Sequence, residues 1–219
     1  MTDTHWQEVD DYIADHLLPV DEALDAVLRN NEAQGLPPID VSAAQGKMLN
    51  LIARMAGARR ILEIGTLGGY STIWLARALP DDGRLMTLEL ESDHARIASE
   101  NLERARVSDK VEILIGPAIE TLKAMTNEEP FDLTFIDADK QNNVAYVREA
   151  IRLSRPGATI IVDNVIRDGG ILDRESDDVR IQGTRDLYEM LAGEARLDAT
   201  AVQTVGAKGW DGFILALVR

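Results

Sequence analysis

The spacing of apolar residues divides the chain into a helical start and a longer remainder. Within residues 5–33, apolar side chains recur every three or four positions, which predicts one or two amphipathic helices divided at Pro19. A Gly- and Pro-rich breaker follows at residues 35–38. Ser42 is then expected to cap a further helix that ends at Gly57. We therefore predict an N-terminal helical extension, residues 1–40, ahead of the main fold.

From residue 60 onward, short apolar runs alternate with helical segments. Apolar strands that alternate with helices are typical of a parallel sheet covered on both faces. Right-handed crossovers between such strands give a doubly wound, Rossmann-like α/β fold. The strands are predicted at residues 60–64, 85–90, 111–115, 133–136 and 159–162, and the helices at 70–79, 92–106, 118–125 and 142–153.

The last third of the chain departs from this alternation. One helix is predicted within residues 177–193, and two strands follow at 198–205 and 213–218. Their connection is short enough for a hairpin, so the last strand is expected to enter a seven-stranded sheet in the antiparallel direction. The simplest organisation is a single domain over residues 1–219.

Composition restricts the chemistry more than it restricts the fold. The 219-residue chain has no cysteine and three scattered histidines, so a bound metal would be a hard cation held by oxygen ligands. The net charge is −15, which disfavours a polyanionic partner such as RNA. No apolar run is long enough to span a membrane, and the acidic N-terminus lacks the pattern of a secretory signal. We expect a cytoplasmic protein.

Glycines mark the first strand–helix junction, which reads ILEIGTLGGYS over residues 61–71. Glycines at this position let the chain turn tightly and let a ligand approach the backbone. The spacing is not GxGxxG, and the acidic Glu63 suits a cationic ligand, such as a sulfonium with an amino group, better than a pyrophosphate. Glu89 ends the second strand, where a carboxylate can accept hydrogen bonds from ribose hydroxyls. The alternative is a structural turn beside a surface glutamate.

Polar side chains also follow the fourth and fifth predicted strands. Asp137 ends one strand and Asp163-Asn164 end the next, so the carboxyl ends of two neighbouring strands should bring these groups together. Two carboxylates and an amide oxygen suit Mg²⁺, with Mn²⁺ and Ca²⁺ as alternatives. The competing interpretation is that Asp137 or Asp139 caps the next helix.

Lys140 follows Asp137 by three residues in a chain that uses five lysines and eighteen arginines. An amine beside a divalent cation can act as a general base for a hydroxyl, whereas a guanidinium stays protonated. A lysine at the start of a helix is otherwise most often a solvated surface residue.

Together these motifs resemble the cation-dependent O-methyltransferase family that includes catechol and caffeoyl-CoA O-methyltransferases. The resemblance runs from about Ser42 to Arg219 and rests on EIGTLGGYS (63–71), FDLTFIDADK (131–140) and VDN (162–164). It implies an S-adenosylmethionine-dependent enzyme, commonly a homodimer, with a divalent cation on Asp137, Asp163 and Asn164 and with Lys140 as base. It implies cofactor contacts from Val41, Glu63, Gly65, Ser71, Glu89, Ala118 and Asp137.

The predicted reaction is methyl transfer to one hydroxyl of a vicinal diol, a catechol or a caffeoyl-type phenol. The same fold and chemistry could serve a hydroxylated uridine in tRNA, although we see no dense basic cluster. A protein that binds S-adenosylmethionine without catalysis would need the glutamates but not Asp137, Asp163, Asn164 and Lys140. A nicotinamide oxidoreductase is disfavoured by the glycine spacing.

Overall fold

The computed structural model of the chain describes residues 3–126 and 129–219, so the first two residues of the predicted extension lie outside it. Short 3-10 turns lie at Ser108–Lys110, Lys140–Asn142 and Gly170–Leu172. The helices are α1 (Asp3–Leu17), α2 (Glu22–Ala33), α3 (Ala43–Met55), α4 (Tyr70–Ala76), α5 (Ser92–Arg104), α6 (Ala118–Ala124), α7 (Asn143–Leu153) and α8 (Val179–Gly193). The strands are β1 (Arg60–Ile64), β2 (Arg84–Glu89), β3 (Val111–Ile115), β4 (Phe131–Ile136), β5 (Ser154–Asp163), β6 (Leu197–Gly206) and β7 (Gly209–Val218).

The strands form one seven-stranded sheet in the order β3-β2-β1-β4-β5-β7-β6. The pairs among β1 to β5 are parallel, whereas β7 pairs antiparallel with both β5 and β6. The order reverses between β1 and β4, and ligands of doubly wound sheets bind beyond the carboxyl ends of the strands at such a point. The predicted doubly wound fold with an antiparallel last strand is confirmed.

The sheet is covered on both faces because its central strands are apolar on both sides. Ile61 and Leu133 belong to the cluster with α2, α3, α4 and α5, whereas Leu62 and Ile64 belong to the cluster with α6, α7 and α8. All four side chains are 0% exposed. Burial of each such side chain contributes about 1.5–3 kcal/mol, so the central strands are held firmly and their carboxyl ends make a rigid base for a site.

The N-terminal helices pack onto this core. Leu24 and Val27 of α2 are 4% and 0% exposed. They lie in the same cluster as α4, the helix that follows the glycine loop of residues 65–69. Residues 18–21 separate α1 from α2, which confirms the predicted division near Pro19. Ser42 caps α3, since its Oγ accepts a hydrogen bond from the backbone nitrogen of Gln45 at 3.2 Å. None of the helices among the described residues is long and apolar enough to cross a membrane.

The fifth strand begins earlier than its apolar run predicts. β5 starts at Ser154 rather than at residue 159, and the pairing with β4 shifts register between Phe131 and Leu133. Pro156 and Gly157, a pair that normally indicates a turn, lie inside this irregular stretch, where Gly157 has a φ of 81°. The irregularity hides the start of the strand from a period-based prediction.

Candidate active site

The glycine loop after β1 is held against the end of β4. Gly65 has a φ of 98°, and its amide donates to the carbonyl of Leu88 at 3.0 Å. A Cβ atom on Gly65 would lie 2.2 Å from the carbonyl oxygen of Asp137. Glycine is therefore required both by the backbone angle and by the close approach of the two strand ends.

Glu63 lies beneath this loop in a cage of hydroxyl groups. Its carboxylate accepts hydrogen bonds from Ser71 (2.6 Å), Thr72 (2.5 Å) and Thr87 (2.7 Å). The residue is 0% exposed. The surface glutamate of the alternative interpretation is Glu89, and its exposure of 7% excludes that interpretation. Burial raises the pKa of Glu63 to about 7 against the lowering effect of the three hydroxyls. Glu63 thus fixes the first turn of α4, where Ser71 and Thr72 lie.

Glu89, at the end of β2, is also buried, with an exposure of 7%. Its Oε2 accepts hydrogen bonds from the backbone nitrogens of Thr66 (3.1 Å) and Leu67 (2.8 Å). Its Oε1 accepts from the backbone nitrogen of Glu91 at 3.0 Å. The carboxylate therefore orders the glycine loop from the neighbouring strand end.

The other predicted cofactor residues flank this loop. Ala118 begins α6 directly after β3, where the amide of Gly116 donates to the carbonyl of Glu89 at 2.8 Å. Val41 lies between α2 and α3 and is 7% exposed, in the same apolar cluster as Tyr70 of α4. Gly65, Glu89, Ala118 and Asp137 follow or end parallel strands, so the structure brings them to one edge of the sheet.

Asp137 and Asp163 lie side by side at this edge. They follow Ile136 and Val162, which are paired residues of β4 and β5. Burial and then the nearby charge of Asp137 raise the pKa of Asp163 to about 7. Such a pair is stabilised by a positive partner.

Lys140 supplies a positive group at this pair. Its Nζ donates to Oδ1 of Asp137 at 2.8 Å, and the residue is 6% exposed. The solvated-surface interpretation of Lys140 is therefore wrong. The neighbouring Asp139 makes no capping bond to the 3-10 turn it precedes and instead accepts hydrogen bonds from the Asn142 side chain and the Tyr146 hydroxyl.

Asn164 directly follows Asp163 with a φ of 57°, a left-handed conformation that asparagine tolerates better than most residues. Its backbone N–H donates to Oδ1 of Asp163 at 2.9 Å. The backbone beyond it is fixed by Asp211, whose Oδ1 accepts from the amides of Ile166 (2.9 Å) and Arg167 (3.1 Å). Strained backbone held by its surroundings is common at functional sites.

The donor set fits a hard divalent cation. Within the described residues, no three His, Cys, Asp or Glu side chains come together as a metal site. The predicted set differs from that pattern, because it combines two interacting carboxylates with the amide residue Asn164. Oxygen donors of this kind are those that Mg²⁺ and Mn²⁺ prefer.

A groove of about 620 Å³ lies elsewhere, between α8 and β6, and none of the proposed metal or cofactor residues lines it.

Three contacts at the site were not predicted from the sequence. Gln45 on α3 donates from Nε2 to Oδ2 of Asp163 at 2.6 Å. Thr72 and Thr87 hold Glu63 together with Ser71. The pairing of β1 with β2 places Thr87 opposite Glu63, so an alignment of the two predicted strands could have indicated that contact, whereas Gln45 carries no comparable signal.

The fold and the site define a Rossmann-like methyltransferase class, and comparison with known proteins agrees. A family model described as O-methyltransferase matches residues 17–217. Catechol O-methyltransferase of Mycobacterium tuberculosis is 56% identical over 97% of this chain and 96% of its own length. Catechol O-methyltransferase of Niastella koreensis is 47% identical over the full length of both chains.

Solved structures show the same relationship. The O-methyltransferase from Bacillus cereus in complex with SAH superposes with a TM-score of 0.98 at 55% identity and covers 100% of both chains. TomG from Streptomyces achromogenes in complex with SAM gives 0.96 at 48% identity, over 100% of this chain and 99% of that one. The chain belongs to the O-methyltransferase family. It is an enzyme that transfers a methyl group to oxygen, which excludes the non-catalytic and nicotinamide alternatives.

Proposed function

We propose that the enzyme transfers the methyl group of S-adenosylmethionine (SAM) to one hydroxyl of a catechol-type vicinal diol, with the help of a divalent cation. The observation that carries this proposal is the juxtaposition of Asp137, Asp163 and Lys140 at two adjoining strand ends. Relatives named catechol O-methyltransferase support the acceptor class. Relatives solved with SAM or SAH support the methyl donor.

We assign the donor to the glycine loop and its surroundings. Glu89 would accept from the ribose hydroxyls, and Ser71 would contact the methionine end. Glu63 is fully buried, so its charge would act on the donor from behind Ser71. The proposed set is Val41, Glu63, Gly65, Ser71, Glu89, Ala118 and Asp137.

We assign the cation to Asp137, Asp163 and Asn164, with Mg²⁺ as the first choice and Mn²⁺ or Ca²⁺ as alternatives. A cation there would bind both diol oxygens and favour ionisation of the reacting phenol. Beside a divalent cation at Asp137, the neutral form of the Lys140 amine would be favoured, and its buried Nζ lies 2.8 Å from Oδ1 of Asp137. That neutral amine would accept the phenolic proton. As the phenolic oxygen bonds to the methyl carbon, the bond from that carbon to sulfur breaks and a neutral thioether leaves.

The test separates the cation from the acceptor. The purified chain is assayed with SAM against catechols, hydroxycinnamoyl thioesters and tRNA, first in EDTA and then with Mg²⁺, Mn²⁺ or Ca²⁺ restored. We expect diol methylation that EDTA abolishes and Mg²⁺ restores. Turnover that resists EDTA would contradict the role of the cation. Binding of Mn²⁺ alone, followed by electron paramagnetic resonance, should disappear in Asp163→Ala and persist in the exposed control Asp198→Ala.

A tRNA acceptor receives less support from the surface charges. The two densest basic groups in the sequence lie at residues 54–60 and 148–155. Four of their arginines are paired with acids: Arg59 with Asp82, Arg60 with Glu129, Arg152 with Glu149 and Arg155 with Asp132. Such pairs reduce the positive potential that phosphate binding needs. Methylation of tRNA in the assay above, with catechols inert, would reverse this preference.

We also propose that the enzyme is a homodimer. Helix α1 contacts α3 and β6, and exposed apolar side chains occur on all three elements. They include Tyr12 (65% exposed), Met55 (78%) and Val205 (54%). Analytical ultracentrifugation should show a dimer that Tyr12→Glu combined with Val205→Glu converts to a monomer. A monomeric wild-type chain would contradict the proposal.

A further inference from the structure

Two buried asparagines connect the N-terminal helices to the glycine loop. Asn31 on α2 is 2% exposed and Asn101 on α5 is 0% exposed. Nδ2 of Asn101 donates to Oδ1 of Asn31 at 2.8 Å and to the carbonyl oxygen of Gly68 at 2.8 Å. The turn of the glycine loop is therefore tied to α2 through Asn101.

Asn31 also packs directly against the glycine loop. A Cβ atom on Gly68 would lie 2.1 Å from Oδ1 of Asn31 and 2.3 Å from its Nδ2. A side chain at residue 68 would thus displace Asn31. Because Gly68 has no side chain, the loop can pack directly against Asn31. Asn31 thus packs against the loop directly and is connected to it by hydrogen bonds through Asn101.

The other end of Asn31 holds the segment that carries Val41. Nδ2 of Asn31 donates to Oδ1 of Asp40 at 3.0 Å, and Asp40 directly precedes Val41. The amide of Leu36 donates to the carbonyl of Asn31 at 3.0 Å. The segment of residues 36–40, which leads directly into Val41, is therefore hydrogen-bonded to Asn31 at both ends.

We propose that Asn31 is a positioning residue for the methyl donor, which sets the glycine loop and the Val41 segment at the separation that the donor requires. This inference rests on the proposed placement of the donor at those two segments. One amide side chain links the two segments. Its Nδ2 donates to Asp40, and its Oδ1 accepts from Asn101, which in turn donates to the Gly68 carbonyl. The N-terminal helix α2 is thereby part of the cofactor site and does more than cover the core.

The chemistry of the network gives a reversible test. In Asn31→Asp the carboxylate keeps the bond from Asn101 but faces the carboxylate of Asp40 where an N–H donor had been, so the Asp40 segment is pushed away. The double variant Asn31→Asp with Asp40→Asn restores a donor and an acceptor with the roles reversed, at the same total charge. Because the displaced segment must return to its place before the donor can bind, we expect SAH affinity to fall about tenfold, which is about 1.4 kcal/mol, in the single variant and to recover in the double variant.

The measurements are calorimetric binding of SAH, thermal melting, and kcat and KM for SAM with a catechol. The matched control is Asn50→Asp, since Asn50 is 6% exposed and donates to the Trp74 carbonyl at 2.9 Å outside this network. We expect Asn50→Asp to lower the melting temperature with SAH affinity unchanged. Asn31→Asp should raise the KM for SAM more than it lowers kcat. If Asn31→Asp does not fold, Asp40→Ala breaks the same connection at the half-buried Asp40 and should also weaken SAH binding.

The outcomes separate this inference from the proposed function. Unchanged SAH affinity in Asn31→Asp or in Asp40→Ala, with a melting temperature lowered as in Asn50→Asp, would reduce Asn31 to a structural residue. Failure of the double variant to restore affinity would equally overturn the inference. Absence of SAH binding by the wild-type chain would overturn the proposed donor site and the inference with it.

Discussion

The side-chain amide of Gln45 donates a hydrogen bond of 2.6 Å to Oδ2 of Asp163, across 118 residues of sequence. Oδ1 of the same carboxylate accepts from the backbone N–H of Asn164 at 2.9 Å. Asp163 is therefore oriented from two sides before any ligand binds. We propose Asp163 as a metal ligand, and groups that orient such a ligand typically change metal affinity about 10–100-fold when they are removed.

We predict that Gln45→Ala weakens Mn²⁺ binding about tenfold or more, because the carboxylate of Asp163 loses one of the two hydrogen bonds that fix its orientation. Electron paramagnetic resonance of Mn²⁺ titrations measures the affinity, and SAH binding should stay unchanged. Gln182→Ala, which removes an exposed glutamine on α8, serves as the control. Equal Mn²⁺ affinity in both variants would show that Gln45 only packs α3 against β5.

Replacement of Lys140 tests its role as a base. Lys140→Met keeps the length of the buried side chain but removes the amine, and Lys140→Arg keeps a charge that cannot be given up. We expect both to lower kcat about 10²–10⁴-fold while SAH affinity is retained, as for the loss of a general base. Stopped-assay kcat and calorimetric Kd for SAH report the two effects, and Lys123→Met on the exposed face of α6 is the control.

A different result would assign Lys140 another role. If Lys140→Arg restored most of the turnover that Lys140→Met loses, the positive charge beside Asp137 would matter rather than proton transfer. The 2.8 Å contact between Nζ and Oδ1 of Asp137 would then be a structural ion pair.

The central strands could be predicted from sequence because burial on both faces leaves long apolar runs. The ends of elements were harder. The predicted helix 70–79 stops at Ala76, where the amides of Ala78 and Leu79 bond three residues back and tighten the chain. The predicted helix 92–106 stops at Arg104, and the left-handed φ of 57° at Arg106 occurs without a glycine to signal it. These endings depend on tertiary packing.

The site divides in the same way. Residues at the ends of parallel strands, such as Asp137 and Asp163, could be predicted to meet because the sheet topology brings strand ends together. Asn31 and Gln45 lie on helices before the sheet, and their partners Asn101 and Asp163 are 70 and 118 residues away. No spacing rule connects such positions, so only the folded chain reveals these contacts.

Gly65→Ala tests the close approach of β1 and β4. The new Cβ would meet the Asp137 carbonyl at 2.2 Å in a backbone whose φ is 98°, so either the loop or the strand end must move. Gly57→Ala is the matched control, because Gly57 also has a positive φ, 60°, but has nothing within 4 Å. A left-handed alanine alone costs about 1–2 kcal/mol, and we expect Gly65→Ala to cost clearly more.

Urea denaturation gives the free energy of unfolding for both glycine variants. Gly65→Ala should also weaken SAH and Mn²⁺ binding, since the loop and Asp137 move together, whereas Gly57→Ala should leave both unchanged. Equal destabilisation by the two substitutions would show that the backbone angle, and not the contact with Asp137, determines the need for glycine at residue 65.

Glu63 should make stability depend on pH in the opposite sense to a salt-bridged carboxylate. Burial raises its pKa to about 7 from an ordinary value of 4.5, so between these values the folded chain binds more protons than the unfolded chain. The contribution of Glu63 to stability is then fully present below about pH 4.5 and is lost as the pH rises through 7. Glu63→Gln keeps the size of the side chain but cannot ionise, and one of the two acceptor oxygens becomes an amide group that donates. Relative to this variant, the wild-type chain should lose on the order of 3 kcal/mol of unfolding free energy over that interval, measured by urea denaturation at a series of pH values.

The comparison of wild type with Glu63→Gln removes the contribution of Asp163, which is present in both chains. A constant difference between the two chains from pH 4.5 to 7.5 would mean that the hydroxyls of Ser71, Thr72 and Thr87 keep Glu63 ionised throughout.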